Sequence, residues 1–343
     1  MTPRVAVVGG GVAGAAVAYA LRESPVEVTL FERAGRVGGR TATRRRGETV
    51  YDYGANYVTD DDERVADLLA EEFSNGLVDT EGPVWTFDAD GEIGEGRGNG
   101  RKWTYEGGVE TLAGRLVDRS DATVETDAEV IELRRRDEAW TVETADERTF
   151  EPFDGVVLTP PAPQTGDLLA AAGWSHERAN ALVEALRDVP YRTIWSLALH
   201  YPDELDRPYY ALVNTDRDHE IGWLSREECK PGHVPDGESL LIVQMAPDWS
   251  AERYDADGAA VIEEALPIVA DLLDDDRLAD PEWTDHQRWG LALPDDGVDA
   301  ELLDAVAEDG LWFAGDWVAG EGRSHAAIRT GLDAGDRIRE RFE

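Results

Sequence analysis

The N-terminal segment constrains this chain more than any other stretch. Arg4-Val5-Ala6-Val7-Val8 runs into Gly9-Gly10-Gly11-Val12-Ala13-Gly14, a helix of small residues follows, and Val26-Glu27-Val28-Thr29-Leu30-Phe31-Glu32 closes the unit. An unbroken β-branched run reads as a parallel strand buried on both faces. Glycines at 9, 11 and 14 give a tight turn, a close approach of backbone to a pyrophosphate, and close helix–strand packing. The new helix turns its free N–H groups and positive end toward the phosphates. Glu32 stands 18 residues beyond Gly14, near the spacing of ~20 at which an acid ending the second strand takes a pair of ribose hydroxyls. Gly9, Gly11, Val12, Ala13, Gly14, Glu32 and the adjacent Arg33 are therefore expected to hold a dinucleotide.

A second glycine pair follows in Arg36-Val37-Gly38-Gly39-Arg40-Thr41, and Tyr51-Asp52-Tyr53-Gly54-Ala55-Asn56-Tyr57 comes shortly after. Glycines flanked by arginines suit a further close approach to a diphosphate, with guanidinium forks supplying bidentate charge. In this order the two segments resemble the R-x-G-G-R and D-x-G-A-x-Y segments of FAD-dependent oxidoreductases of the amine oxidase superfamily, and within it the renalase-like branch. Leu311-Trp312-Phe313-Ala314-Gly315-Asp316-Trp317, followed by Gly331, agrees with that resemblance. A strand ending in Gly315-Asp316 can set a carboxylate on ribityl or diphosphate hydroxyls. A helix starting near Ala326-Ala327-Ile328 aims its positive end at the flavin edge where negative charge develops on reduction.

The resemblance implies noncovalent FAD, an α/β fold with a Rossmann-like FAD/NAD(P)-binding domain, and an inserted α+β substrate domain. It adds Gly38, Gly39, Arg40, Thr41, Gly54, Ala55, Asn56, Val130 (beside the adenine), Thr159, Gly315, Asp316, Ala327 and Ile328 to the cofactor set. It also implies hydride transfer from a dihydronicotinamide-type substrate to flavin, with O2 as acceptor giving H2O2. The rivals are an amine oxidase or a desaturase of the same superfamily, and a flavin-binding protein without turnover. Asn56 replaces the usual Gln, and His325-Ala326 replaces the usual acid and glycine.

Charge narrows the partners. The 343 residues carry a formal net charge of −40, spread along the chain, and the only lysines are Lys102 and Lys230. This pattern resembles proteins of salt-accumulating halophiles; at low salt such charges repel and destabilise the compact state. A phosphate-backbone partner is disfavoured, and Arg44-Arg45-Arg46 and Arg134-Arg135-Arg136 read as solvated strand ends. No apolar run approaches the ~20 residues of a membrane helix, and the first core strand begins by Arg4, without a leader-like segment before it. A cytoplasmic protein is expected, with no membrane or nucleic-acid partner. Cys229 is the single cysteine, which leaves no intrachain disulfide and no cysteine metal cluster; no metal is expected.

Residues 1–58, 98–163 and 290–343 are assigned to the cofactor domain, and 59–97 and 164–289 to the substrate domain. Asp60 to Glu63 starts a helix carrying Val65, Leu68, Leu69 and Phe73. Gly91 to Gly100 reads as a mobile loop, and Trp103 to Gly108 as the opening of a helix. Strands are expected at 123–126, 130–133, 140–143, 155–158, 193–199 and 240–245, and a helix from about Asp257 to Leu273.

Tyr57, Trp195, Trp223 and Trp289 are candidates for an aromatic wall over the flavin. With 11 tryptophans in the chain, a core reading stands beside each of them. Arg288, Arg323 and His325 are the charged candidates for orienting an anionic substrate. For His325 a capping role competes, since no partner is visible. The catalytic set is thus Tyr57, Trp195, Arg288, Trp289 and His325. Neither lysine is well placed to serve near flavin N5, and Cys229 lies far upstream of the C-terminal flavin helix, so a covalent link is not expected.

Overall fold

A computed structural model describes residues 2–96, 100–174 and 176–343. The first strand, Arg4–Val8, sits at the centre of a five-stranded parallel sheet. Glu27–Phe31 and then Thr123–Glu125 lie on one side, Gly155–Leu158 and then Leu311–Phe313 on the other. Alternation sends Val5 and Val7 to one core and Ala6 and Val8 to another, which is why this strand has no polar face. On the first face lie the helices Val12–Ala20, Thr111–Asp118 and Ser324–Phe342. On the second lies a meander of Val130–Arg136, Ala139–Thr144 and Thr149–Phe153, whose Leu133, Trp140, Val142 and Phe153 are buried. The helices Val12–Ala20 and Ser324–Phe342 touch backbone to backbone: a Cβ on Gly331 would lie 2.3 Å from the Ala13 carbonyl oxygen.

The second layer is a seven-stranded sheet in the order Trp283–Pro294, Tyr191–Tyr201, Ser239–Met245, Ile221–Arg226, Ala211–Asn214, Val84–Phe87, Ile93–Gly94. Its outer face, including Trp195, Leu197, Leu199, Leu241 and Val243, packs on the helix Gly258–Leu273 through Val261, Ala265 and Val269. Asp257 caps that helix, its carboxylate accepting from Ala259 N–H at 3.0 Å. No helix among the described residues is long and apolar enough to cross a membrane.

Several expected boundaries shift. The helices Ala162–Ala171 and Ala179–Asp188 bury Leu169, Leu182 and Leu186 with Val156 and Leu158. They are therefore built on the parallel sheet, not on the substrate sheet as the division at 164 supposed. Of the described residues among 59–97, only Val84–Phe87 and Ile93–Gly94 join the substrate sheet. Val65, Leu69 and Phe73 belong to the core of the first layer, because their one apolar face is covered there. The helix start is as read, with Asp62 accepting from Val65 N–H at 3.0 Å, but the turn Leu68–Glu72 is π-helical. Trp103 to Tyr105 is part of a strand, Lys102–Tyr105, and the helix opens only at Thr111. The substrate sheet also runs past 290, to Pro294. The division at 97/98 and part of the Gly91 to Gly100 loop lie outside the described residues.

Candidate cofactor and substrate site

A cavity of about 1570 Å³ opens where the parallel strands end and the substrate sheet faces them, the position at which open α/β sheets take ligands. Its floor is glycine backbone. Gly9 turns the chain at φ +102°, and a Cβ on Gly14 would lie 2.0 Å from the Gly9 carbonyl oxygen, so the helix can start only if both stay small. Gly38 N–H donates to the Gly10 carbonyl at 2.8 Å, joining the two glycine loops. Gly11 caps the helix Val12–Ala20 without a side-chain acceptor, and Gly11, Val12 and Ala13 line the cavity. The first helical N–H groups are thus left for a ligand.

Glu32 is buried and accepts from Gly10 N–H at 2.7 Å and Ala34 N–H at 2.8 Å. It lines one end of the cavity with Arg33, Glu129 and Val130. Gly39, Thr41, Gly54, Ala55, Asn56, Thr159, Gly315 and Ala327 line it further along. Gln244 Nε2 donates to the Gly54 carbonyl at 2.9 Å and the Ser225 hydroxyl to Asn56 Oδ1 at 3.1 Å, so the substrate sheet fixes this segment. The helix Ser324–Phe342 also begins without a side-chain cap, at the cavity wall.

Arg40 and Asp316 line the cavity, as the cofactor reading expects, and also pair with one another: Arg40 donates both terminal nitrogens to Asp316, at 2.9 and 2.8 Å, and one of them to the Ala292 carbonyl at 3.0 Å. Burial pulls the Arg40 guanidinium down, but Asp316 and Tyr191 hold it above its ordinary value. Two charges brought from sequence positions so far apart neutralise one another at the cavity edge.

Two cofactor candidates lie behind the wall. Gly14 packs against Gly9, and the Ile328 side chain is in the core of the first layer. Two catalytic candidates are also displaced from the lining. Trp195 alternates with Ser196 and so points outward, its Nε1–H donating to the Arg253 carbonyl at 3.1 Å within the outer core. His325 sits about 100° around the helix from Ser324; its Nδ1 lies 2.8 Å from the Thr59 hydroxyl.

Tyr57, Arg288 and Trp289 do line the cavity, together with Trp223, Tyr254 and Arg323. Tyr57 and Trp223 stand 6.0 Å apart, and Trp289 stacks on Tyr53 at 5.7 Å with its Nε1–H donated to the Tyr53 carbonyl at 3.1 Å. Burial raises the Tyr57 hydroxyl above its usual range, against the pull of Arg323 and Lys230. Arg288 lies over the Tyr254 ring at 4.4 Å and donates to that residue's carbonyl. Arg323 donates to the Gly322 carbonyl at 2.9 Å. Among the described residues neither guanidinium meets a carboxylate.

A buried ionic cluster went unread in the sequence. Asp52, Glu227 and His233 bring ligand-type atoms within 4.8 Å of one another, but the Lys230 ammonium holds the middle, 3.0 Å from Asp52 and 2.7 Å from Glu227. The signal available was rarity, one of only two lysines in the chain placed in a Pro-Gly loop.

A glycine floor, two uncapped helix starts and a volume above the ~300–1,000 Å³ of ordinary ligand pockets fit a dinucleotide cofactor with room beside it for a substrate. Fold and cleft together define the class, an FAD-binding protein built on a Rossmann-type sheet with a second sheet over the cofactor. The chain belongs to the flavin containing amine oxidoreductase family, whose sequence profile matches residues 75–339, while a NAD(P)-binding Rossmann-like domain profile matches residues 7–71. FAD is the cofactor of this family. Over 66 residues the chain is 46% identical to protoporphyrinogen oxidase 2, chloroplastic/mitochondrial, of Arabidopsis thaliana, a match spanning 19% of this chain and 13% of that protein. A crystal structure from Exiguobacterium sp. 255-15, described as a protoporphyrinogen oxidase, superposes with a TM-score of 0.82 at 16% identity over 99% of both chains. Cyclohexylamine oxidase from Brevibacterium oxydans IH-35A superposes with a TM-score of 0.75 at 14% identity over 99% of both.

Proposed function

We propose that this protein is an oxidase of the renalase-like branch, from a salt-accumulating organism, that removes a hydride from a dihydronicotinamide dinucleotide and passes the electron pair to O2 as H2O2. The observation that carries this reading is the charge of the substrate-side wall. The lining residues from the substrate sheet and its helices include Arg192, Arg217 and Arg288 and no acidic side chain, and Arg323 joins them from the other layer. Asp295 pairs with Arg192 and Arg217 from outside the lining, which leaves Arg288 and Arg323 for an anion. In a chain of net charge −40, arginines kept clear of carboxylates favour a diphosphate, which their planar forks grip bidentately. A protonated amine would lose its hydration against this wall with no counter-charge.

FAD, when bound, supplies the two-electron acceptor. The chain's own share is placement. Tyr57, Trp223 and Trp289 give flat apolar walls that exclude water, and the uncapped start of Ser324–Phe342 favours negative charge beside it. Both lysines and Cys229 are outside the lining, and burial pushes the Cys229 thiol up to about 11, which supports a noncovalent flavin.

Anaerobic stopped-flow reduction tests the reading. Dihydronicotinamide isomers carrying hydride away from ring position C4 should bleach the flavin faster than 4-dihydro NAD(P)H, benzylamine or polyamines, because near-attack geometry sets the rate. Arg288→Ala and Arg323→Ala should raise KM for the dinucleotide by about tenfold or more, as expected for loss of a charge-assisted bond. Preferential bleaching by a primary amine would move the protein to the amine oxidases.

A further inference from the structure

Outside the cofactor cavity, the hairpin Thr43–Arg46 and Thr49–Asp52 forms one wall of a groove of about 570 Å³. Arg36, Arg44, Arg45 and Arg46 line it, with Asp285 as the one lining carboxylate. Arg44 uses that carboxylate at 2.8 Å, and Arg36 is paired with Glu110 at 3.2 Å. Arg45 donates to the Gly107 carbonyl at 2.6 Å and, within reach only of the field of the Glu110 that Arg36 already uses, makes no ion pair among the described residues. Arg46 lies over the Trp283 ring at 4.6 Å and meets no carboxylate among the described residues. His200 stacks on Trp283 at 4.8 Å, so the ring that carries Arg46 is itself fixed. Four guanidinium groups against two carboxylates reverse the local charge of a protein in which acids outnumber bases 73 to 33.

We propose that this groove is a second anion site, which takes a phosphate-bearing small molecule while the cofactor cavity is filled. The groove is open to solvent, but its seven lining residues are far fewer than the ~20–30 a side of a protein interface and match a group the size of a phosphate. Arginine in place of lysine supplies paired N–H donors matched to phosphate oxygens. The groove adjoins the cofactor cavity, since Arg36 lines both and Arg44 reaches Gln287 at 2.9 Å on the cavity wall. An anion held there sits beside the mouth without entering the cavity.

Calorimetric titration of the flavin-loaded protein with pyrophosphate and, separately, ADP tests the site. In an Arg288→Ala, Arg323→Ala background, which removes the diphosphate grip proposed for the cavity, saturable binding of one pyrophosphate per chain is expected. Arg45 and Arg46 are exposed, so Arg45→Gln and Arg46→Gln should keep the flavin spectrum and each weaken binding about tenfold. Arg337→Gln, which removes a guanidinium paired with Asp304 on the C-terminal helix, should leave binding unchanged. Equal affinity for the two probes assigns recognition to the phosphates alone, and tighter ADP binding assigns it to a nucleotide. Absence of saturable binding, equal weakening by Arg337→Gln, no weakening by the groove variants, or stronger binding of a poly-glutamate peptide would overturn the proposal.

Discussion

The Lys230 ammonium lies 3.0 Å from the Asp52 carboxylate, and neither side chain reaches solvent. Asp52 ends the second strand of the hairpin Thr43–Arg46 and Thr49–Asp52, whereas Lys230 follows a short turn between two strands of the substrate sheet. Asp52 also accepts from the hydroxyls of Thr43 at 2.6 Å and Thr104 at 3.0 Å and from Val109 N–H at 2.9 Å. Glu227 accepts from Asp52 N–H at 3.0 Å, and His233 sets its two ring nitrogens against Glu227 and the Tyr105 carbonyl, at 3.0 and 2.9 Å. The cluster therefore bolts the substrate sheet to the segment that leads into Gly54 and Tyr57.

Lys230→Met strands two buried carboxylates, Asp52 and Glu227, and should cost about 3–5 kcal/mol; Asp52→Asn leaves Lys230 paired with Glu227 and should cost less. The double variant should recover part of the Lys230→Met loss, because Glu227, opposite His233, is then the one carboxylate left without its lysine. Urea unfolding followed by circular dichroism checks this; losses that simply add would show that the pair does not act as a unit.

The same pair sets a pH window. Burial works against the Asp52 charge, but Lys230 and His233 hold its carboxyl below the usual range; burial works against the Lys230 charge, but Asp52 and Glu227 hold its ammonium above the usual range. The Asp52 contribution is full above its unfolded value of ~3.9 and is lost as pH falls through the depressed folded value. The Lys230 contribution is full below ~10.4 and is lost as pH rises through the raised folded value. Stability from this pair should be flat between those limits, and a Lys230→Met, Asp52→Asn double variant should lack its acid and alkaline edges in a pH series of melting temperatures.

Glu32 accepts from one N–H of the glycine turn, that of Gly10, and from Ala34 N–H two residues further along the chain, and it lines the cavity. Glu32→Ala should weaken FAD retention by about 1.5–3 kcal/mol, the worth of hydrogen bonds to a charged acceptor. Dialysis followed by the ratio of flavin to protein absorbance measures it; retention equal to wild type would mean the carboxylate serves the turn alone. FAD should leave the denatured protein intact and unattached.

A formal charge of −40 repels itself at low ionic strength, and at about 1 M salt the Debye length shrinks to ~3 Å. Folding and flavin retention are therefore expected to need concentrated KCl. Circular dichroism across a KCl series checks this, and a fully folded flavoprotein in dilute buffer would show the acidic surface to be incidental.

Local chemistry determined the parts of this protein that the sequence discloses by itself. The turn at Gly9, the helix starting at Val12, the acid at Glu32 and the strand Leu311–Phe313 each follow from neighbours in the chain, because φ, alternation and helix capping act over a few residues. Tertiary structure alone decided what meets across the layers. Arg40 with Asp316 and Asp52 with Lys230 are charges whose partners lie far along the chain, and no local pattern reveals which pairs desolvation will force together. Alternation along Tyr191–Tyr201 says that Trp195 and Ser196 face opposite ways, but which face is cavity depends on where the helix Gly258–Leu273 packs. His325 likewise turns from the cavity because Thr59 waits on the other side of its helix.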